Sequence, residues 1–253
     1  MQNNSITNFV SFENIKFKPM KKTFFVLIIM LIMGFTVYSQ TACDYYLPFQ
    51  VGKGQAEQTY NAKNILTGSS EIKITDITTE GAYTVATVHS VSYDAKGKEQ
   101  GQTDYKIKCN GNKLVFSSES FISPQTINAY KGMDMKIEAE DIEVPSNLSA
   151  GMTLPDGKLK MNVSQQGIQI TEMTFEFTDR KVEAKQTLTV PAGTYDCFKI
   201  TFDVNISTST MGMAINNLTK NIQFYAKNVG VIRTETYDAK GKLLSYSVIS
   251  KIL

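Results

Sequence analysis

The sequence contains no tryptophan, one histidine and only three cysteines among its 253 residues. One histidine and three scattered cysteines give no pair of residues at zinc-ligand spacing. His89 lies inside an alternating run without a Gly-x-Ser-x-Gly motif, so no Ser/His/Asp or Cys/His catalytic set is recognisable. We therefore expect no catalytic residue, no metal ligand and no cofactor, and we interpret His89 as a structural or surface residue.

A charge excess of either sign is also absent, since the formal net charge is only +2 from 26 basic and 24 acidic residues. Four of the lysines and one of the glutamates precede residue 40, so the remaining chain holds 22 basic and 23 acidic residues, a net charge of −1. A near-neutral domain has no electrostatic preference for polyanions. No basic cluster alternates with aromatic residues, so we expect no nucleic-acid partner.

The sequence contains a single long apolar run, which lies near the N-terminus. Met20, Lys21 and Lys22 precede an uncharged apolar stretch at residues 24–35. Two lysines, a short apolar core and small residues after it are typical of a secretory signal peptide, whereas a membrane-spanning helix needs about 20 apolar residues. We predict initiation at Met20 and cleavage after Ser39.

The predicted cleavage divides the chain into an upstream segment with its signal peptide, residues 1–39, and one β domain, residues 40–253. No membrane span remains after cleavage. We therefore expect an exported protein that resides in the periplasm, at the outer membrane or outside the cell.

Three cysteines in an oxidising compartment allow one disulfide and leave one thiol. Cys43, Cys109 and Cys197 are the candidates, and their spacing does not show which two pair. A lipid anchor on Cys43 is an open alternative: Ala42 before it fits a lipoprotein, whereas Gln40 replaces the usual leucine.

Alternation of apolar and polar residues dominates the chain from Gln55 onward, and β-branched and aromatic residues fill the alternating runs. The clearest runs are residues 71–77, 83–91, 174–177 and 199–206. Turn sequences at residues 110–112 and 191–194 separate such runs. We predict an all-β fold, a mostly antiparallel β-sandwich or half-barrel.

One short helix is predicted near residues 123–131. Ser123 can cap it, Pro124 suits its first position, and Gly132 follows as a stop. Two proline-containing stretches, residues 144–147 and 154–157, are predicted to be loops within the same domain.

The sequence Tyr-Asp-Ala-Lys-Gly-Lys occurs twice, at residues 93–98 and 237–242, and a looser relative lies at residues 60–64. A type I turn followed by Gly or Asn in the left-handed region gives the bulged hairpin that such a sequence prefers. We predict the same turn at each copy, with a duplicated binding loop as the alternative.

Four acidic residues, Glu138, Glu140, Asp141 and Glu143, lack the loop pattern of a dedicated calcium site. We interpret them as the solvated face of a strand. Hydrolysis of a glycoside needs only two carboxylates, so a carboxylate-based hydrolase remains the alternative.

Methionines form two pairs, Met133 with Met135 and Met211 with Met213, each spaced to face one side of a strand. Methionine fills cores and also lines permissive apolar binding surfaces. Core packing is the simpler interpretation, and a β-lined surface for an apolar ligand is the alternative.

Three segments, residues 188–200, 225–235 and 237–243, resemble the TapB-like family of secreted proteins, common in Bacteroidota. The strings Val-Pro-Ala-Gly-Thr and Ala-Lys-x-Val-Gly carry the resemblance, which spans residues 43–252. It implies an exported, mostly antiparallel β domain of unknown function, with no catalytic residues to carry over.

These observations favour a non-catalytic, envelope-associated β domain that binds a hydrophobic ligand or a protein partner. The carboxylate-based hydrolase and a purely structural envelope or surface component are the alternatives.

Overall fold

The computed structural model describes residue 43, residues 46–117, residue 122, residues 124–210 and residues 213–253. The predicted signal peptide, the predicted helix cap Ser123 and the candidate ligand residue Met211 lie outside the described residues. For residues 124 and 125 only the backbone is described.

Thirteen strands and one short helix make up the described part of the chain. The strands are β1 Gly54–Asn61, β2 Leu66–Glu80, β3 Tyr83–Asp94, β4 Glu99–Cys109, β5 Lys113–Phe116, β6 Asp134–Glu140, β7 Ile142–Pro145, β8 Gly157–Gln165, β9 Ile168–Val190, β10 Gly193–Thr210, β11 Met213–Ala226, β12 Gly230–Asp238 and β13 Leu243–Ile252, and the helix is α1 Pro124–Ala129.

The strands form one sheet in the order β6-β8-β9-β10-β11-β12-β13-β1-β2-β3-β4-β5-β7. The pairings are antiparallel, and most join strands that follow each other in the sequence. Strand β1 is an exception, because it lies between β13 and β2.

The sheet curls until strands from its two halves face each other. The largest core cluster joins Ile74 of β2 and Ile107 of β4 to Ile200 of β10. Ile142 of β7, at one end of the strand order, packs with Phe177 of β9, which lies near the opposite end. The predicted all-β fold, a mostly antiparallel half-barrel with one short helix, is confirmed.

The local turn predictions are confirmed in the same regions. Residues 110–112 connect β4 to β5, and residues 191–192 connect β9 to β10. Both copies of the six-residue repeat form the same turn: Gly97 has φ 79° and Gly241 has φ 81°. In the looser copy, Asn64 takes this left-handed position with φ 59°.

The predicted helix is present as α1, and Gly132 after it has φ 88°. Both loop predictions are partly wrong. Gly157 of the second loop begins β8, and Val144 and Pro145 of the first belong to β7, which pairs with β5. Proline is compatible with this position because β7 is the edge strand of the sheet and Pro145 ends it. No helix among the described residues has the length and apolar character needed to cross a membrane.

Cys43 and Cys109 form a disulfide with their Cα atoms 5.6 Å apart, and Cys197 is a buried free thiol. The bond joins the segment before β1 to the end of β4. Tyr46 and Phe49 of that segment are buried in the largest core cluster. Because a lipid anchor would need the Sγ atom of Cys43, this disulfide and lipidation exclude each other.

Candidate functional site

The concave side of the sheet lines a partly open cavity of about 330 Å³. Strands β1, β2, β4, β5 and β7 line one side of it, and strands β9 to β12 line the other. Ligand cavities in proteins commonly measure about 300–1,000 Å³. The cavity is therefore large enough for a small molecule.

Aromatic and aliphatic side chains form much of the cavity wall. Phe116, Phe177 and Phe202 line it together with Ile142 and Ile200. The rings of Phe177 and Phe202 have their centroids 6.5 Å apart and are tilted by 36°, a spacing at which aromatic rings attract each other. This part of the cavity suits an apolar group.

Glu57 contributes a carboxyl group to the wall, from a position on β1 directly opposite Ser70 of β2. Burial raises the pKa of Glu57 above 4.5, while a hydrogen bond with Ser247 acts in the opposite direction. Its side chain keeps some accessible surface because it faces the cavity. Burial also raises the pKa of Tyr105 to about 12, and the negative charge of Glu57 adds to this effect.

Arg180 of β9 places a cation in the same wall, with 4% of its surface exposed. Its guanidinium group donates hydrogen bonds to the carbonyl oxygens of Pro155 and, at 3.1 Å, of Glu143. Burial lowers the pKa of Arg180, yet a guanidinium group stays protonated in proteins. Among the described residues, no carboxylate forms an ion pair with it.

A β-bulge turns Arg180 towards the cavity. The pairing of β9 with β10 shifts between Thr201 and Asp203, and Asp179 takes φ 53°. Side chains three positions apart on a regular strand point to opposite faces. The extra residue in the bulge lets Phe177 and Arg180 both line the cavity.

Two glutamines also contribute polar groups to the wall. Gln55 donates from Nε2 to the carbonyl oxygen of Val231 at 3.1 Å, which ties β1 to β12. Its Oε1 atom is buried and has no partner among the described residues. Tyr225 donates from its hydroxyl group to Oε1 of Gln223 at 3.2 Å, and burial raises the pKa of Tyr225 to about 12.

His89 lies outside this cavity, on β3. Its Nδ1 atom is 2.7 Å from Oδ1 of Asp104 on β4, and both side chains are partly exposed. No serine, threonine or cysteine of the described residues forms a hydrogen bond with His89. Within the same residues, no group of three His, Cys, Asp or Glu side chains could hold a metal ion.

Of the candidate methionines, Met133, Met135 and Met213 lie among the described residues, and these three do not line the cavity. Met133 and Met135 are half-buried against a separate cluster that contains Leu159 and Met161. Met213 is 72% exposed near the start of β11. The proposed ligand surface made by these methionines stays a prediction, and the cavity residues are a different candidate.

The acidic residues lie on the outside of the half-barrel. Glu138 and Glu140 occupy exposed positions of β6, as the sequence predicts. Glu140, Asp141 and Glu143 line an open groove together with Asp156 of the following loop. Glu138 pairs with a neighbouring lysine, and so does Glu143.

The cavity residues could not be predicted from the sequence, for two physical reasons. Glu57 and Tyr105 come from strands that the sequence places far apart, and only the curled sheet brings them together. Arg180 depends on the bulge at Asp179. One signal was available: Tyr105 shares an alternating face with Cys109, and both belong to or pack against the largest core cluster.

A sequence profile of the DUF3108-like family matches residues 50–249. This range contains the cavity residues and all but the last positions of β13. A comparison with curated proteins finds no match.

Two solved structures share the fold. One is a Bacteroides fragilis protein described as exported and as having a YmcC-like fold, with 22% identity, a TM-score of 0.65, and coverage of 83% of this chain and 100% of that one. The other, from Parabacteroides distasonis, is described as a lipoprotein, with 21% identity, a TM-score of 0.67, and coverage of 83% and 99%. At this identity the similarity concerns the fold.

Proposed function

This chain belongs to the DUF3108-like family, and we propose that it is an exported, non-catalytic protein that binds an apolar small molecule inside its half-barrel. The observation that carries the proposal is the cavity of about 330 Å³, lined by Phe116, Phe177 and Phe202. Binding sites for small molecules are typically concave and mostly apolar, with a few polar groups that orient the ligand.

Hydrogen bonds within the cavity wall hold its polar side chains in place, which favours binding over catalysis. Glu57 is engaged with Ser247, and Tyr225 is hydrogen-bonded to Gln223. Side chains fixed by such contacts offer a ligand a rigid surface, because little side-chain freedom is lost when it binds.

Export is supported by the predicted signal peptide and by the disulfide, because disulfides persist in oxidising compartments. The two structural relatives described as exported and as a lipoprotein agree with this location. The narrower assignment to the TapB-like family, and to the periplasm or the outer membrane, stays part of the proposal.

Native mass spectrometry of the protein purified from a host that exports it tests the proposal. We expect a mature mass that begins at Gln40 and an additional bound mass. Val231→Phe places a larger side chain in the cavity wall and should remove the bound mass. Val51→Phe, at a position 56% exposed, is the matched control and should retain it.

A hydrophobic dye provides a second measurement on the same proteins. The wild type and Val51→Phe should enhance its fluorescence, and Val231→Phe should not. Bare protein that leaves the dye fluorescence at background would contradict a binding function and favour the structural role.

The methionine surface offers another location for an apolar ligand. Met213 and Ile215 are 72% and 70% exposed on β11. Met213→Ser should leave the bound mass unchanged if the ligand lies in the cavity. Loss of the ligand from this variant, with retention in Val231→Phe, would move the site to β11.

The hydrolase alternative rests on the acidic groove that contains Glu140 and Asp156. A screen of the wild type and Glu140→Gln against polysaccharides and esters tests it. Activity that is present in the wild type and absent from the variant would replace the binding proposal.

A further inference from the structure

Among the described residues of the cavity wall, Arg180 is the one whose charge a change of protonation cannot remove. Guanidinium groups stay charged in proteins, whereas a buried carboxyl group such as that of Glu57 can become neutral by binding a proton. An inference about the ligand's charge therefore starts from Arg180, and it rests on the proposed binding function.

Arg180 has no carboxylate partner at ion-pair distance among the described residues, although the charges of Asp156 and Glu143 act on it from farther away and raise its pKa. Its two hydrogen bonds go to the backbone carbonyl oxygens of Pro155 and Glu143, which are neutral acceptors. The side-chain carboxylate of Glu143 is instead paired with Lys113. Since a guanidinium group has five N–H donors, the described contacts leave donors available.

We propose that the ligand of the cavity is a single-chain amphiphile with a carboxylate head that pairs with Arg180. Arginine and carboxylate match in shape and form two parallel hydrogen bonds, which are strong because both groups are charged. The apolar chain then lies against Phe116, Phe177 and Phe202. Because Arg180 is already buried in the protein, a ligand carboxylate in hydrogen-bond contact would give it a closer counter-charge than Asp156 or Glu143 provides.

The size of the cavity guides the choice of probe. A cavity of about 330 Å³ lies at the lower end of the range for small-molecule sites, so a single-chain amphiphile of medium length is a suitable first ligand. Decanoate is therefore the probe of choice.

Isothermal titration calorimetry with decanoate, decanol and decylamine at neutral pH tests the inference on the wild-type protein. The three probes share a chain and differ in the charge of the head. We expect decanoate to bind about ten- to a hundredfold more tightly than decanol, the range that a charge-assisted hydrogen bond provides. Decylamine should bind most weakly.

Arg180→Met should remove the preference for decanoate over decanol, and Arg180→Lys should retain part of it. Arg233→Met is the matched control, because Arg233 lies over the ring of Tyr246 and does not line the cavity. Thermal melting monitors folding of each variant, and the wild-type series decides the question even where Arg180→Met does not fold.

The possible outcomes distinguish failure of the carboxylate inference from failure of the binding function. Equal affinity for decanoate and decanol, or a preference for decylamine, would overturn the carboxylate inference while binding itself stands. Failure of all three probes and of the hydrophobic dye to bind would overturn the binding function as well.

Discussion

The disulfide between Cys43 and Cys109 joins residues 66 positions apart. It fixes the segment that precedes β1 against the end of β4. Within this segment, Tyr46 packs edge-on against Tyr225 of β11, with ring centroids 6.2 Å apart. The bond therefore anchors a segment that covers part of the core.

Cys109→Ser should lower the free energy of unfolding by about 4 kcal/mol, the loop-closure entropy expected for a link of this length. Urea denaturation under oxidising conditions measures the change. Wild-type protein in a reducing buffer should show the same loss.

Thiol titration of the denatured protein is the control for the pairing. The wild type should expose one thiol, Cys197→Ala none and Cys109→Ser two. An additional lipid mass on Cys43, or three thiols in the oxidised wild type, would contradict the pairing.

Glu57 should make stability depend on pH. Because its pKa in the folded protein is raised above 4.5, the folded state holds the proton more tightly than the unfolded state. The contribution of Glu57 to stability is complete below pH 4.5 and is lost as the pH rises through the folded pKa, by at most about 1.4 kcal/mol per pH unit.

Glu57→Gln has no carboxyl group to deprotonate, so its stability should not fall in this way. As the pH rises above 4.5, the free energy of unfolding of Glu57→Gln should therefore increase relative to that of the wild type. Urea denaturation at a series of pH values measures the difference. Glu71→Gln, which removes an exposed carboxylate from the adjacent strand, is the control. A difference that shrinks with rising pH would show that Glu57 is stabilised as a carboxylate.

Asp94 and Asp238 should contribute equally to stability, because they form the same turn. Asp94 Oδ1 accepts hydrogen bonds from the backbone of Lys96 and Lys98 at 2.8 and 2.9 Å. Asp238 Oδ1 accepts the equivalent pair from Lys240 and Lys242, both at 2.9 Å. Replacement of either aspartate by alanine should lower the free energy of unfolding by about 1–2 kcal/mol.

The chain supplies its own control for this prediction. Asn61 accepts the same two bonds in the looser copy of the turn, from Lys63 and Ile65. Asp94→Asn and Asp238→Asn should therefore remain close to the wild type in urea denaturation. Losses of the alanine size in both asparagine variants would show that the charge, not the acceptor, matters.

Asp179 should tolerate glycine and resist a β-branched residue. Its φ of 53° lies in the left-handed region, where glycine is unstrained and valine costs about 1–3 kcal/mol. Thermal and urea denaturation of Asp179→Gly and Asp179→Val measure the difference. Lys185→Val, at an exposed position where β9 pairs regularly with β10, is the control and should change stability by less than about 0.5 kcal/mol.

Alternation was sufficient to predict most strands, because it reports which face of a strand is apolar. The run that includes Ile200 and Phe202 is an example: both side chains pack on the core side of β10, and Cys197 lies on the opposite face. The pairing of Cys43 with Cys109 could not be predicted, since it depends on where the curled sheet brings the segment before β1.

The cavity was beyond sequence reasoning for a related reason. Its wall combines residues from nine strands, and no local pattern marks a polar residue that faces inward. Glu57 reads as one of several polar residues of β1, and Arg180 reads as outward-facing if alternation continues from Phe177. A single residue with positive φ, Asp179, reverses that assignment.

The position of β1 between β13 and β2 affects the order in which the strands can pair during synthesis. Ser250 of β13 donates a hydrogen bond to the carbonyl oxygen of Ala56 on β1, 194 positions earlier. Until β13 has been synthesised, one edge of β1 lacks its partner, and pairings of such long range form slowly. The sheet can therefore close between β1 and β13 only after the last strand of the chain has been made.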